Sequence, residues 1–458
     1  MKKHIRLNAF SMNCVGHQAP GLWAHPRDES WRYKEADYWV SLARILERGK
    51  FDGLFLADVL GVYDVFNGSH DSALAQAVQV PVNDPLLLVP LLAQATEHLG
   101  FGVTCALTYE HPYPFARRMS TLDHLTQGRV GWNIVTSYLD SAARNMGLTA
   151  QMAHDDRYAV AEEYLEVCYK LWEGSWEDDA VLRDRQQRLF TDPRKVHGIA
   201  HQGEFYNVPG IHLCEPSPQR TPVLYQAGAS ARGKAFAGKH AECVFVSGPS
   251  QSIIKSYVDD IRAAAVSEGR DGADILIFLM FTAVTAPTQA EAERKYAEYR
   301  EYVSSDGALT LMSGWTGVDL GAYQPDEVVR HVETEAGRSA LESFTKADPT
   351  RAWTVREVAN WVGIGGRGPV AVGTPQQVAD SLEDWVAATG IDGFNLTYVV
   401  AHETFADFVD LVVPELQRRG VYKRDYRAGT LREKLFERGS RLHGSHTGAG
   451  YRWRGPRI

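Results

Sequence analysis

The chain lacks the short motifs that let a protein run chemistry on its own side chains. It has no GxSxG turn to raise a serine nucleophile, no Walker loop, and no GxGxxG run opening a strand-helix unit. GGRG at 365–368 has no strand-like segment ahead of it, so a built-in dinucleotide domain for NAD(P)H is not expected. Cysteine is scarce: Cys14, Cys105, Cys168, Cys214 and Cys243 are odd in number and form no CxxC or Cys/His group. That speaks against a disulfide framework and against structural zinc. Positive charge is in deficit, with 48 Lys and Arg against 57 Asp and Glu, a formal net charge of −9. Neither nucleic acid nor an anionic membrane surface is an expected partner, because both need a basic face to displace counterions. Long apolar runs are missing too. LLLVPLLAQA near residue 90 is too short to span a bilayer and contains Pro90. The N-terminal MKKHIRLNAF alternates apolar with polar residues where a signal peptide needs an unbroken apolar core. A cytoplasmic location is the expectation.

What is present is ordinary for a large globular enzyme: 458 residues, 44% hydrophobic, 23% charged, with 40 glycines. Strand-like runs fall at 4–10, 51–58, 101–109, 130–137, 223–228, 242–248, 275–284 and 393–400. Most are near-continuously apolar, as strands covered on both faces must be, and amphipathic helical patterns separate them. Such alternation implies a parallel sheet with right-handed crossovers. Eight strands favour closure into a (β/α)8 TIM barrel, with a doubly wound open sheet as the alternative. The expected domain is 1–440, followed by a Gly/Arg-rich tail at 441–458, with insertions at 11–36, 59–84, 179–222 and 303–372. The first, second and fourth insertions follow strands 1, 2 and 7 and should rise from the C-terminal rim, while the third precedes strand 5. The last is long enough to form a lid. Cys105, Cys168 and Cys243 lie in apolar periodic segments and read as packing residues. Cys14 lies in a polar loop.

Polar residues at strand C-termini face the active site of a barrel. Here they are Asn13, Cys14 and His17, then Asp58, then Tyr109 and Glu110, then Ser137 and Tyr138, and finally Ser230. The apolar run at 223–226 leads into Ala227, Gly228, Ala229 and Ser230 and then into the helix-like ARGKAFAGKHA. A glycine turn, a capping serine and the free amides of a helix start make a place for a phosphate, although the same residues also read as an ordinary capped strand-turn-helix. In HDDRY (154–158), Asp155 and Asp156 are expected to cap the following helix and offset its dipole, and no metal site is expected. With no activated nucleophile, metal cluster or acid–base pair evident, a bound organic cofactor is the economical carrier of the reaction.

LNAFSMNCVGHQAPGLWAHP, LERGKFDGLFLADVLGVYDVF, VPVNDP, RRMSTLDHLTQGRVGWNIVTS, HDDRYAVAEEYLEVCYKLWEGSWEDDAV and EPSPQRTPVLYQAGAS occur in this order. Together they make the chain resemble the bacterial-luciferase-like flavin monooxygenases, in the branch containing nitrilotriacetate, dibenzothiophene-sulfone, long-chain alkane and dimethyl-sulfide monooxygenases. The resemblance implies a barrel that takes reduced FMN from a separate NAD(P)H:flavin reductase, reacts it with O₂, and forms a homodimer or homotetramer. Carried over by position, Asp58, Ser137, Tyr138, Tyr158, Ala227, Gly228, Ala229 and Ser230 would line FMN, with Tyr158 and Ser230 at its phosphate. Cys14, His17, Tyr63 and Tyr138 would be the candidate catalytic residues. His17, whose ordinary pKa lies near working pH, could assist proton transfer, and a structural bond is its other reading. The alkane enzymes carry histidines where this chain has Tyr138 and Leu311. The dimethyl-sulfide enzymes share the tyrosine and also resemble SGWTGVDL (313–320), DPTRAWTVREV (348–358) and GGRGPV (365–370). A small organosulfur substrate is therefore expected, with a long-chain alkane as the alternative. A deazaflavin-dependent hydride-transfer enzyme or a non-catalytic flavin carrier on the same barrel are the competing functions.

Overall fold

Strands β1 (Arg6–Met12), β2 (Gly53–Ala57), β3 (Gly100–Ala106), β4 (Val130–Val135), β5 (Val223–Gln226), β6 (Cys243–Val246), β7 (Leu276–Thr285) and β8 (Gly393–Thr397) pair in chain order, all parallel. Pairing of β8 with β1, in register Leu7 to Phe394, closes the ring. The expected barrel is therefore closed, not an open sheet. These features belong to a computed structural model that describes residues 3–228, 230–330, 336, 338–345 and 351–453.

The period-two alternation of strands explains the continuous apolar runs. Leu7, Leu54, Phe101, Trp132, Leu224 and Ile277 point outward into the core shared with the helices. The neighbouring positions Phe55, Val223, Tyr225, Phe245 and Phe278 fill the inside. A Cβ on Gly131 would fall 2.4 Å from the Tyr225 ring, so glycine there makes room for that aromatic. The bottom of the barrel is plugged by the helix Leu431–Phe436, whose Leu431 and Leu435 join the inner cluster. Beyond it, Leu442 and Ala449 enter the main core and His446 bonds the His240 carbonyl at 2.8 Å. The stretch read from sequence as a tail is thus packed as far as these residues.

Two of the elements outside the expected set extend the barrel between β7 and β8. A short ninth strand, Val370–Gly373, pairs with Thr282–Thr285, because the ten-residue β7 outruns the ring and leaves an unpaired edge. The helix Pro375–Thr389 is the other, although Thr374, Pro375 and Gln377 form a complete capping box with proline at the first turn.

The rim insertions fasten to one another over the barrel mouth. Cys14 bridges Val82 and Gly16 bridges Val78, tying the loop after β1 to the loop after β2. Tyr63 and Val78 share a second core with Leu311, Met312, Val355 and Val358 from the long insertion. The 179–222 segment lies on the flank instead, where His212 meets Ser120 at 2.9 Å and His201 meets Glu163 at 3.1 Å. Among the described residues no helix is long and apolar enough to cross a membrane.

Candidate active site

A cavity of about 320 Å³ opens at the C-terminal ends of the strands, beneath the joined insertions. Barrel-interior residues Phe10, Phe55, Thr104 and Asn133 make its floor, and Trp315, Ala340 and Arg367 of the long insertion close its upper wall. The expected residues Asp58, Ser137, Tyr138, Tyr158, Ala227 and Gly228 line it, as do Ser230, His17 and Tyr63. Ala229 lies outside the described residues. Cys14 and Leu311 are not part of the cavity lining. Leu311 is buried in the second core beside Tyr63. Cys14 is buried with its Sγ directed at the Gly16 carbonyl at 3.5 Å, and burial raises its thiol pKa, so it is a packed thiol and not a poised thiolate.

One end of the cavity is formed by a capped helix start with two hydroxyls beside it, an arrangement able to receive an anion. Ser230 caps the helix Ala231–His240 by accepting the Gly233 amide at 3.1 Å, as its position after β5 suggested. Its Oγ also lies 3.3 Å from His154 Nε2. The Tyr158 hydroxyl enters the crease between two glycines: a Cβ on either Gly228 or Gly233 would sit 2.9 Å from it. Capping and anion binding are compatible, because the cap uses one amide and leaves the other first-turn amides and the dipole for a ligand. Arg157 and Arg232 act electrostatically on Tyr158 and add positive potential. The helix carrying Tyr158 begins differently from the sequence expectation. Its N-cap is Ala153, without a side-chain bond, while Asp155 pairs with His154 at 2.8 Å. Asp155 and Asp156 offset the dipole but do not cap.

The other end holds a directional hydrogen-bond chain. The Tyr63 hydroxyl donates to Gln79 Oε1 at 2.9 Å, and Gln79 Nε2 donates to the His17 carbonyl at 3.0 Å. Tyr63 and Tyr138 hydroxyls are 2.8 Å apart. Since Tyr63 has spent its one proton on Gln79, Tyr138 must donate to Tyr63. Burial pushes the Tyr138 pKa up to about 12 and that of Tyr63 well above its ordinary value, so both remain neutral phenols. Gln79 was not anticipated from sequence. It sits in the loop after β2 at φ +52°, and nothing in its neighbourhood along the chain marks it.

His17 needs correction as a proton carrier. It is buried edge-on against Phe10 at 4.4 Å, and burial lowers its pKa to about 3. In this state it is a neutral imidazole, able to donate or accept a hydrogen bond but not charged at neutral pH. Asp58 moves the other way: burial, with the like charge of Asp84, raises its pKa to about 7. A carboxyl whose folded pKa is above the unfolded value binds more protons when folded, so it costs stability as pH rises from about 4 to about 7. Asp58→Asn is expected to abolish that part of the pH dependence, gaining on the wild type as pH rises through this window. Denaturant melts at several pH values check it, and parallel curves would refute it.

Among the described residues no cluster of metal-ligating side chains occurs, and the five cysteines are free.

A model of the luciferase-like monooxygenase family matches residues 9–393. The dimethyl-sulfide monooxygenase of Hyphomicrobium sulfonivorans is 52% identical over 453 residues, covering 99% of this chain and 94% of that one. The long-chain alkane monooxygenase of Geobacillus thermodenitrificans (strain NG80-2) is 51% identical over 453 residues, covering 99% of both. The crystal structure of a riboflavin lyase with modified FMN and riboflavin superposes with a TM-score of 0.93 at 38% identity, covering 99% of this chain and 100% of that one.

Proposed function

Because this chain belongs to the luciferase-like monooxygenase family and is a flavin-dependent monooxygenase, we propose that it binds FMN, receives it reduced from a separate NAD(P)H:flavin reductase, and oxygenates a small dialkyl sulfide. The observation that carries the cofactor reading is the crease at Gly228 and Gly233, where side chains are excluded and the Tyr158 and Ser230 hydroxyls converge on a helix start. Ser137, at φ +58°, turns the chain after β4 so that Tyr138 follows it into the cavity, and Arg157 Nη1 donates to the Ser137 carbonyl. Asp58 stands on the β2 side. When bound, reduced FMN would supply the activation of O₂. The chain's own task is to exclude water and hold the substrate: the second core packs over the mouth, and the neutral Tyr63, Tyr138 and His17 present hydrogen-bonding groups without free charge.

Tyr158→Phe or Ser230→Ala is expected to weaken FMN by about 1–3 kcal/mol while sparing riboflavin, which has no phosphate. Fluorescence titration of both flavins checks this, and equal weakening would move the phosphate elsewhere. Turnover should require an added reductase, and NADH consumption by the pure chain would contradict the two-component reading.

For the substrate, Tyr138 lines the cavity where alkane enzymes carry histidine. A sulfide lone pair is a far better nucleophile than an alkane C–H bond and asks less of the site. In reductase-coupled competition among dimethyl sulfide, a long alkane and an aryl sulfone, the sulfide should be favoured. Preference for either of the others would overturn the substrate reading and leave the flavin reading standing.

A further inference from the structure

Arg367 stands on the GGRG turn that no dinucleotide site accounts for. Gly365 and Gly366 adopt φ of +78° and +64°; a Cβ on Gly366 would lie 2.0 Å from Gln18 Oε1, and one on Gly368 would lie 2.3 Å from the Met280 carbonyl. Glycine is required at a turn this tight. The Gly366 amide donates to the Gln18 carbonyl at 3.0 Å, so the turn is clamped between the loop after β1 and strand β7, with Arg367 on the cavity wall.

Among the described residues the Arg367 guanidinium has no hydrogen-bond or ion-pair partner, and its nearest aromatic contact is the Trp315 ring, 5.2 Å from centroid. The groups acting on it electrostatically are the phenols of Tyr257, Tyr138 and Tyr63, each kept neutral by burial. Burial pulls the Arg367 pKa down, yet a guanidinium stays charged at neutral pH. Arg367 is half-buried and lines the cavity. A half-buried cation without a counter-charge carries a desolvation cost that a cation–π contact offsets only in part. An anion in the cavity would remove it. The phosphate cradle has its own cations, Arg157 and Arg232, and a dialkyl sulfide has no charge. The remaining anion is the ring of reduced flavin, which loses its N1 proton near neutral pH and spreads the charge over N1 and the C2 carbonyl.

We propose that Arg367 is the counter-charge of the reduced flavin ring and makes this cavity prefer reduced over oxidised FMN. The proposal rests on the FMN reading of the cavity. Anaerobic titrations with oxidised and chemically reduced FMN test it, without recourse to turnover. In Arg367→Met the Kd for reduced FMN should rise about tenfold or more, as for loss of a charge-assisted bond, with the oxidised Kd nearly unchanged. The midpoint potential of the bound two-electron couple should then fall by about 30 mV for each tenfold. Arg367→Lys, which keeps the charge, should retain most of the preference, and an unchanged oxidised Kd reports that each variant is folded. Equal weakening of both forms, or weakening of neither, overturns the proposal alone. So does binding of a short alkanesulfonate by the wild type that Arg367→Met abolishes while reduced FMN still binds, since the cation would then serve an anionic substrate or product. Failure of the wild type to bind FMN in either form overturns the cofactor reading as well.

Discussion

Arg432→Met is expected to cost about 3–5 kcal/mol of stability, the range for stripping one partner from a buried ion pair. Arg432 meets both Glu242 oxygens, at 2.7 and 2.8 Å, and also donates to the carbonyls of Thr221, Pro222 and Ser440 at 3.0, 3.0 and 2.7 Å. Both residues are buried at the bottom of the barrel, so the plug helix, the entry to β5 and the start of β6 are joined through one guanidinium. Removing it leaves Glu242 charged and enclosed. In the wild type the arginine holds the Glu242 pKa below its ordinary value against the pull of burial. A carboxylate of depressed folded pKa contributes stability that is present above its unfolded pKa and lost as pH falls through the folded one. Without Arg432 the Glu242 pKa is expected to rise above the unfolded value, reversing the sign: the variant's deficit should shrink on acidification. Arg432→Met with Glu242→Gln should recover much of the loss, because no buried charge remains. Urea unfolding at neutral and mildly acidic pH measures all of this. A single-variant loss below about 1 kcal/mol, typical of exposed pairs, would mean the pair is not enclosed.

Gly314→Ala is expected to lower turnover about 100-fold, the scale of a 1 Å misplacement at a reacting site. In an exposed helix this substitution would gain about 1 kcal/mol. Here the helix Ser305–Thr316 presses on Tyr63, and the new Cβ would fall 1.9 Å from Cδ1 of that ring. The ring cannot stay while its hydroxyl remains tied to Gln79 and Tyr138. The part of FMN affinity supplied by the phosphate should change little, since Tyr158 and Ser230 are not bonded to the Tyr63 chain. Reductase-coupled turnover and flavin titration read the two effects separately. Near-normal turnover would remove Tyr63 from the proposed catalytic group, and a parallel loss of FMN affinity would point to collapse of the rim.

Much of the barrel was legible because its strands are covered on both faces and therefore written as unbroken apolar runs, and the capped turn at Gly228 and Ser230 was legible because strand, glycine, serine and helix follow one another within a few residues. Local chemistry of that kind survives in one dimension. From sequence the segment after 440 was legible only as a Gly/Arg-rich tail, and its packing was not: Leu442 and Ala449 are buried and Arg441 pairs with the enclosed Glu173 at 2.7 Å. His17 illustrates a different limit: its identity was legible but its protonation was not, since a pKa follows from what surrounds the ring.

Chain order alone determined that the strands would be parallel and the polar strand ends would gather at one mouth, because helices of this length between apolar strands leave right-handed crossovers as the packing solution. Only the tertiary structure decided which of those polar groups touch. Tyr63, Gln79, Tyr138 and Arg367 come from three separate rim segments, after β2, β4 and β7, and no periodicity relates them. Their meeting depends on the second hydrophobic core folding over the barrel mouth, where burial also fixes which of them carry a charge.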